Sequence, residues 1–463
     1  MPAFIDSILN TANAISNWIW GIPMLILLGI GGTFLSARLG FFQFRHLGFI
    51  LKRKWAQMRE PKKGEKVSGF QAMTAALGNT LGPGNIAGTP VAIALGGPGG
   101  LFWMFIVGLI SSGTKFCEVT LAMKYRTKDL NGEYLGGPVQ YLSKCFKKPW
   151  LGTFYCYALI IGMCFHLMYQ STSIADMGKT VSVPPIVTGV LLMVAAGAVV
   201  MGGIHRLAKV TEKMVPFMAL FYIVGGLIVI AINYDRIIPS LTAMVTQAFT
   251  GSAAIGGFAG STIASAFRWG LARGTASNDA GNGLASIVHS STEEDVHPVE
   301  QGLWGVIEVF LDTNVVCMIT GLVVLTSGIW TELPSDQAST FAGLAFERAF
   351  GGVAGSAFVT FTLFLFVFSS VIAIIYMTDR MVMYAWGPKA VLPMRIFYLL
   401  LLPLGSVCGL SVIIRVLDLA SACFMIPNMI GLLMKSGEIK TLVNDYFSNP
   451  EYYSKAKIKE SRK

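Results

Sequence analysis

The chain has 463 residues, of which 54% are hydrophobic and only 13% charged, with a mean hydropathy of +0.62 and a formal net charge of +10. A soluble domain carries about 25% charged residues; here the charges gather between apolar runs of roughly 20 residues, which excludes a soluble globular protein and predicts an all-α polytopic membrane protein. The positive balance reads as a topology signal rather than a nucleic-acid footprint, and seven cysteines with no CxxC pair, most of them inside apolar runs, exclude a disulfide framework or a metal site.

In chain order, the apolar runs predict eleven spans: roughly 17–37, 70–96, 100–124, 151–171, 184–202, 212–232, 243–270, 301–326, 354–377, 391–409 and 412–434. The first is long enough to span and is followed by no small-residue cleavage site, so it is expected to stay. Of the 35 Lys and Arg, 30 fall on one side: in 38–69, 124–150, 203–213, 268–300, 378–395 and the tail from Lys435. The positive-inside rule places these in the cytoplasm, with the N-terminus outside and the C-terminus inside. The nine tryptophans fall near span ends, where an interfacial belt would lie.

Two spans are interrupted by glycine clusters. LGNTLGPGNIAG (77–88) breaks the second and TGSAAIGGFAGST (250–262) breaks the seventh. Residues 70–232 hold five spans counted from the first break, and 243–434 hold five counted from the second. An odd number turns the second copy upside down, which predicts an inverted repeat of five plus five with 17–37 as an extra span. The domain plan is one transmembrane domain over 1–434 and a basic cytoplasmic tail over 435–463, helical at first and then disordered. An unpaired backbone group in hydrocarbon costs several kcal/mol, so a break persists where it is buried in protein or lines a polar cavity. Freed N–H groups there attract anions and freed carbonyls attract cations. Paired breaks at matching places point to a transporter's binding site; close helix packing or a kink is the competing account.

Several stretches carry a family resemblance: GNIAGTPVAIALGGPGGLFWMF (84–105), TKFCEVTLAMKYR (114–126), GGPVQYL (136–142), GGFAGSTIASAFRWGLARGTASNDAG (256–281), HPVEQGL (297–303) and FLDT (310–313). Together they resemble the alanine or glycine:cation symporter family, over about 17–434. The resemblance implies a LeuT-type fold and sodium- or proton-coupled uptake of small neutral amino acids. It places the substrate between the breaks, at Gly82, Gly84, Asn85, Gly256, Gly257 and Phe258, with Gln170 and Thr172 shaping the pocket. It places sodium on the hydroxyls of Ser369 and Ser370 and on carbonyls near Leu81 and Gly84. Adjacent hydroxyls that merely bond back to the preceding turn are the alternative for that pair.

Departures from the family pattern cluster on this inferred site. Pro83 stands where the family has Thr, which removes a hydroxyl and a backbone donor. Thr172 stands in place of Asn, and Ile374 falls where a Trp is usual. A wall that loses a Trp gains room, which points to a neutral amino acid larger than alanine or to weakened sodium coupling.

Other polar residues carry competing readings. Lys115 and Glu118, three apart on one helical face, are read as a structural or gating pair. Asp312 is either a proton carrier or a partner for a hydroxyl such as that of Thr313, and His166 is either a core histidine or a titrating group. The segment 273–300 is too polar to span and is expected as a cytoplasmic loop with a short helix, its Glu293, Glu294 and Asp295 solvated. No P-loop, GxSxG or triad appears, so no enzyme or ATP-driven pump is expected. The leading expectation is a sodium symporter of a bacterial or archaeal cell membrane that imports a small neutral amino acid, such as alanine, glycine or glutamine. It needs no cofactor beyond the coupling ion, and its partners are the amino acid, sodium and lipid. A proton-coupled carrier of the same fold and a non-transporting amino-acid receptor stay open as alternatives.

Overall fold

The computed structural model describes residues 14–16, 18–58, 67–130, 132–145, 149–180, 183–252, 260–293, 295–408 and 410–452. These form a helical bundle with one two-stranded hairpin. Helix α1 (Ile22–Arg38) leads to α2 (Leu47–Met58). The first interrupted helix follows as α3 (Gly69–Thr80) and α4 (Thr89–Gly96), and α5 (Pro98–Tyr125) comes next. Strands β1 (Thr127–Lys128) and β2 (Tyr134–Leu135) pair antiparallel, and α6 (Pro138–Cys145), α7 (Pro149–Thr180), α8 (Pro185–Val200) and α9 (Gly203–Ile232) complete the first half.

The interrupted pair α10 (Ile237–Thr250) and α11 (Ile263–Asn278) leads to the short α12 (Leu284–His289) and the long α13 (Pro298–Ser327). Then come α14 (Phe341–Phe350), α15 (Gly352–Trp386), α16 (Pro388–Val407), α17 (Leu410–Met434) and α18 (Ser436–Ser448).

Local chemistry sets the helix ends. Ser68 and Gln71 form a reciprocal capping box at the start of α3: the Gln71 N–H donates to Ser68 Oγ (3.2 Å) and the Ser68 N–H to Gln71 Oε1 (3.0 Å). Helices α5, α7, α8, α13 and α16 open on proline, where a missing N–H costs nothing. Gly97, at φ +68°, makes the turn between α4 and α5 that a side chain would strain.

Helix α5 is the axis of the packing, with α1, α4, α10, α11 and α13 against it, while α7 packs on α15, α16 and α17. Small residues let backbones meet: a Cβ on Gly100 would stand 2.5 Å from the Ala92 carbonyl, and one on Gly270 would stand 2.5 Å from the Gly100 carbonyl.

Seven helices among the described residues are long and apolar enough to cross a membrane: α5, α7, α9, α13, α15, α16 and the 416–434 part of α17. The chain is a multi-pass membrane protein. Length and composition alone do not reach eleven crossings. Two of the expected spans are cut by their breaks, and Ile22–Arg38 and Pro185–Val200 are shorter.

The segment 273–300 differs from its expectation. Residues 274–278 still belong to α11, α12 follows, and most of 274–292 is buried. Its polar groups pair inside the protein. Arg126 reaches the Ser290 and Thr292 carbonyls (3.3 and 2.6 Å), and the Thr292 hydroxyl and Glu293 N–H reach the Val67 carbonyl. Glu294 lies outside the described residues, as do 453–463 of the tail.

Candidate functional site

Helix α3 stops where the sequence breaks. Leu81 leaves it in extended backbone (φ −72°, ψ 93°), and Pro83, with no N–H, opens the next turn. The last carbonyls of α3 therefore lack helical partners. The Ser370 hydroxyl, from the middle of α15, lies 3.2 Å from the Gly78 carbonyl, 3.2 Å from that of Asn79 and 3.5 Å from that of Leu81. Three carbonyls, a hydroxyl and the negative end of a half-helix make a buried oxygen cluster suited to a small cation. Ser369 stands apart from it. Its hydroxyl donates to the Phe366 carbonyl (2.9 Å) and lies 3.6 Å from Met218 Sδ. Successive helical residues point about 100° apart, so only one of the pair faces the break.

The donors at the first break are already engaged. The Gly82 N–H donates to Asn85 Oδ1 (2.8 Å). Asn85 is fully buried, and its Nδ2 lies 2.7 Å from Asp312 Oδ1, 3.0 Å from Ser277 Oγ and 3.2 Å from Cys317 Sγ. Asp312 Oδ2 accepts from Ser277 and Thr313, both at 2.8 Å. Asn85 and Asp312 each sit in a π-helical stretch, Gly84–Gly88 and Phe310–Cys317, where a wider turn shifts side chains off the α-helical register. Asn85 thus braces the break against α13, and Asp312, bonded to the Thr313 hydroxyl as one reading had it, belongs to the same brace. A carboxylate meeting the Gly82 N–H would have to displace Asn85.

Open space lies one turn on. A Cβ on Gly84 or Gly88 would meet nothing within 4 Å, whereas one on Gly82 would stand 3.3 Å from Ser370 Oγ and 3.8 Å from Gln170 Nε2. Gln170 thus faces the break from α7. Its Nε2 lies 3.2 Å from His166 Nε2, and its Oε1 is buried without a hydrogen-bond partner. Such an acceptor costs about 1–3 kcal/mol until a ligand or water supplies a donor. Thr172 turns away, its hydroxyl 2.9 Å from the Met168 carbonyl and 2.7 Å from that of Gly405, which ties α7 to α16. Ile374, one turn beyond Ser370, is fully buried in the core.

At the second break α10 ends on Gly251, at φ +76°, where a side chain would be strained. Ser252 and Ser261 pair across the gap, and α11 restarts under the Thr262 hydroxyl, which accepts the Ser265 N–H at 3.1 Å. Gly256, Gly257 and Phe258 lie outside the described residues.

Lys115 and Glu118 are not each other's closest partners. Lys115 Nζ lies 3.5 Å from Glu308 Oε1 on α13. Glu118 Oε1 accepts the Gly281 and Gly283 N–H groups (2.9 Å each) and Asn428 Nδ2 (2.7 Å). Shared helical spacing brought the two onto one face, but Glu118 is held instead by two N–H groups of the loop after α11 and by Asn428 of α17. The sequence reading passed over Glu308; its signal was a carboxylate four residues before Asp312 in one apolar span.

A cleft of about 440 Å³ opens beside the hairpin, lined in part by Glu133, Tyr134, His205, Ser291, Glu293 and Tyr376. Tyr376 stands six residues beyond Ser370 on the same helix. Next to it on that helix, Arg380 binds Asp129 (2.7 Å) and Glu133 (2.6 Å), fastening α15 to the hairpin segment.

Comparison with known proteins places this arrangement. An uncharacterised transporter of Bacillus subtilis, YflA, is 38% identical over 95% of this chain and 94% of its own. The sodium/alanine symporter AgcS of Methanococcus maripaludis is 36% identical over 93% of this chain and 95% of its own. A manganese transporter from Eremococcus coleocola superposes with a TM-score of 0.53 over 86% of this chain and 83% of that one, at 12% identity, a likeness of fold alone. The model of the sodium:alanine symporter family matches residues 5–460, so the chain belongs to that family of amino acid:cation symporters, which are transporters and not enzymes.

Proposed function

We propose that the chain is a sodium-coupled symporter that imports a neutral amino acid by alternating access. The observation that carries this reading is the Ser370 hydroxyl set against the carbonyls of Gly78, Asn79 and Leu81, at the end of an interrupted helix. Sodium binds there. The amino acid lies in the open space beside Gly84 and Gly88, where the unpartnered Gln170 Oε1 accepts from its ammonium group. A substrate larger than alanine is proposed because Ile374 stands where the family usually has a tryptophan.

The frame is a pair of inverted five-helix repeats of the LeuT type, 70–232 and 243–434, with 17–37 added in front. The matching order of α3–α9 and α10–α17, each opening on an interrupted helix, supports it. The basic end, which carries the hairpin and α18, faces the cytoplasm of a bacterial or archaeal cell, and the N-terminus lies outside. No cofactor beyond sodium takes part.

A thermal-stability screen of detergent-purified protein tests this reading, with each of the twenty amino acids in sodium and again in potassium. A ligand at ~100 times its dissociation constant adds ~2.7 kcal/mol to the folded state. Stabilisation by one or a few neutral amino acids, in sodium alone, is the expected result. Equal shifts in both salts would turn the reading to proton coupling, and no shift with any of them would reject an amino-acid carrier.

A further inference from the structure

Helix α2 has two unlike faces, and the inner one is fastened to the bundle. Lys54, 1% exposed, puts its Nζ 2.7 Å from Glu300 Oε1 and 2.7 Å from the Glu300 carbonyl, in the first turn of α13. Gln57 Nε2 donates to the same carboxylate oxygen (2.7 Å), and Lys54 Nζ stands 5.0 Å from the centre of the Trp304 ring. Ile50 is fully buried, and His46 and Phe49 pack on Phe447 of α18, with ring centroids 4.3 and 5.8 Å apart. A buried ammonium does not readily leave its carboxylate, so the helix cannot roll and its other face stays outward.

That outer face is apolar. Phe41, Phe44, Leu51, Trp55 and Met58 are each 39% to 57% exposed. Leu51, Trp55 and Met58 recur at the four- and three-residue spacing of one helical stripe, and Phe44 lies seven residues before Leu51. On α1 an exposed apolar stripe, Ile22, Ile26, Ile30 and Phe34, leads toward it. The turn between the two helices is built on Gly40 and Phe41, at φ +67° and +50°. Phe41 is left-handed there (ψ 42°), a conformation that suits glycine or asparagine and strains a bulky side chain. The ring is nevertheless held outward, stacked on Phe44 at 6.1 Å.

The charge along this stretch has one sign. Residues 38–58 hold Arg38, Arg45, Lys52, Arg53 and Lys54 and no Asp or Glu. Glu300 engages Arg53 and Lys54. Arg38, Arg45 and Lys52 are exposed, seven residues apart, and make no ion pair among the described residues. Arg45 and Lys52 each follow a residue of the apolar stripe by one position, so they border it.

An exposed apolar stripe edged by basic side chains fits the surface of an acidic membrane: rings and methyls enter the acyl boundary, and the long basic side chains reach the phosphates. We propose that α2, with Phe41 and Phe44 before it, is a docking surface for acidic phospholipid and lies flat in the membrane surface at the basic end of the bundle. Its basic border is complementary to that lipid, whereas a second copy of the chain would bring a like-charged border against it. The inference goes beyond the transport reading and holds whatever solute or ion the carrier moves.

The test uses the full chain in nanodiscs of phosphatidylcholine alone and of phosphatidylcholine and phosphatidylglycerol in equal parts. Nitroxide labels on Leu51→Cys and Ala56→Cys are read against the labelled parent. Both positions are exposed, so both variants should fold, and they lie about 140° apart around the helix. The Leu51 label should be open to oxygen and shielded from a water-soluble nickel complex, and the Ala56 label the reverse. Hydrogen exchange of 47–58 should slow when phosphatidylglycerol is present, and Arg45→Gln and Lys52→Gln should each remove about fivefold of that protection. Phe41→Asn, which suits the left-handed backbone, should keep the unfolding midpoint in detergent and weaken the protection in lipid. Equal access of nickel to both labels would put the stripe in water and overturn the proposal. A Leu51 label closed to both reagents, or broadened by a neighbouring label, would overturn it too, because protein or a second copy would then cover the stripe. Protection that ignores phosphatidylglycerol would overturn acidic lipid as the partner.

Discussion

Only one hydroxyl of the Ser369–Ser370 pair reaches the carbonyls of α3. A hydrogen-bond or ligand oxygen on a charged partner contributes about 1.5–3 kcal/mol. Ser370→Ala should therefore raise the sodium concentration needed for half-maximal stabilisation about 10- to 100-fold, while Ser369→Ala should move it less than about threefold. Equal effects from the two variants would contradict the geometry. Asn85 makes a different argument. Its side chain satisfies the Gly82 N–H and reaches Asp312 in a fully buried place. Asn85→Ala strands both groups, at about 1–3 kcal/mol each, and should lower the unfolding midpoint with or without sodium; an unchanged midpoint would remove it from the brace. The sequence showed Asn85, Asp312, Lys115 and Ser370 as polar residues in apolar runs. For Asp312 it offered the Thr313 hydroxyl, but it showed neither Asn85 nor Ser277 beside that carboxylate, nor Glu308 beside Lys115. Asn85 and Asp312 meet through two π-helical stretches, and the Ser370 hydroxyl depends on a phase about 100° from Ser369; an α-helical periodicity carries neither.

Interrupted helices survive here because their neighbours approach at backbone distance. A Cβ on Gly99 would stand 2.6 Å from the Ala248 nitrogen, and one on Gly100 2.5 Å from the Ala92 carbonyl. Neither backbone can yield, so Gly100→Ala should give aggregated or poorly stable protein on size-exclusion chromatography. Gly84→Ala meets nothing within 4 Å. It should fold as the parent does and lose the thermal response to amino acid, since the methyl enters the proposed substrate space. Normal response in that variant would move the substrate elsewhere. The last helix, α18, offers a pH test. Burial alone would raise the Glu438 carboxyl, but hydrogen bonds from Lys124, Lys435 and Tyr125 outweigh it and hold it at about 2. A depressed folded value means that this contribution is complete above the ordinary value near 4.5 and fades as pH falls toward 2. Hydrogen exchange of 436–448 should therefore speed up between pH 4 and 2 more than that of α5. Helix positions were legible because an apolar run of membrane length is a strong signal. The burial of 274–292 was not, because its polar groups are satisfied by Arg126, Glu118 and Val67 from distant parts of the chain.

The alternating access proposed above would ask the whole molecule to expose the site to one side at a time. The cleft beside the hairpin is lined in part by Tyr376, on the helix that carries Ser370, and in the carrier proposed above it would be the route toward the basic, proposed cytoplasmic, side. Arg380 holds that helix to Asp129 and Glu133, and a carrier that closes this side must keep or tighten the clasp while the other side opens. A ligand shifts such an equilibrium only by its difference in affinity between the two states. Sodium bound between α3 and α15 would fix the helix that carries Tyr376 on the cleft wall, and should favour the closed cleft. A cysteine at Glu293, on the cleft wall, reports this directly. The native cysteines among the described residues are buried or half-buried, so a membrane-impermeant maleimide applied to everted vesicles should label Glu293→Cys well above the parent protein. Sodium should slow that labelling several-fold relative to potassium, and Ser370→Ala should abolish the difference. Labelling that ignores sodium would separate the cleft from the transport cycle and leave it a static feature of the hairpin. Slowing that survives Ser370→Ala would mean that the ion acts on the cleft from another place, and the oxygen cluster at the end of α3 would lose its role as the coupling site.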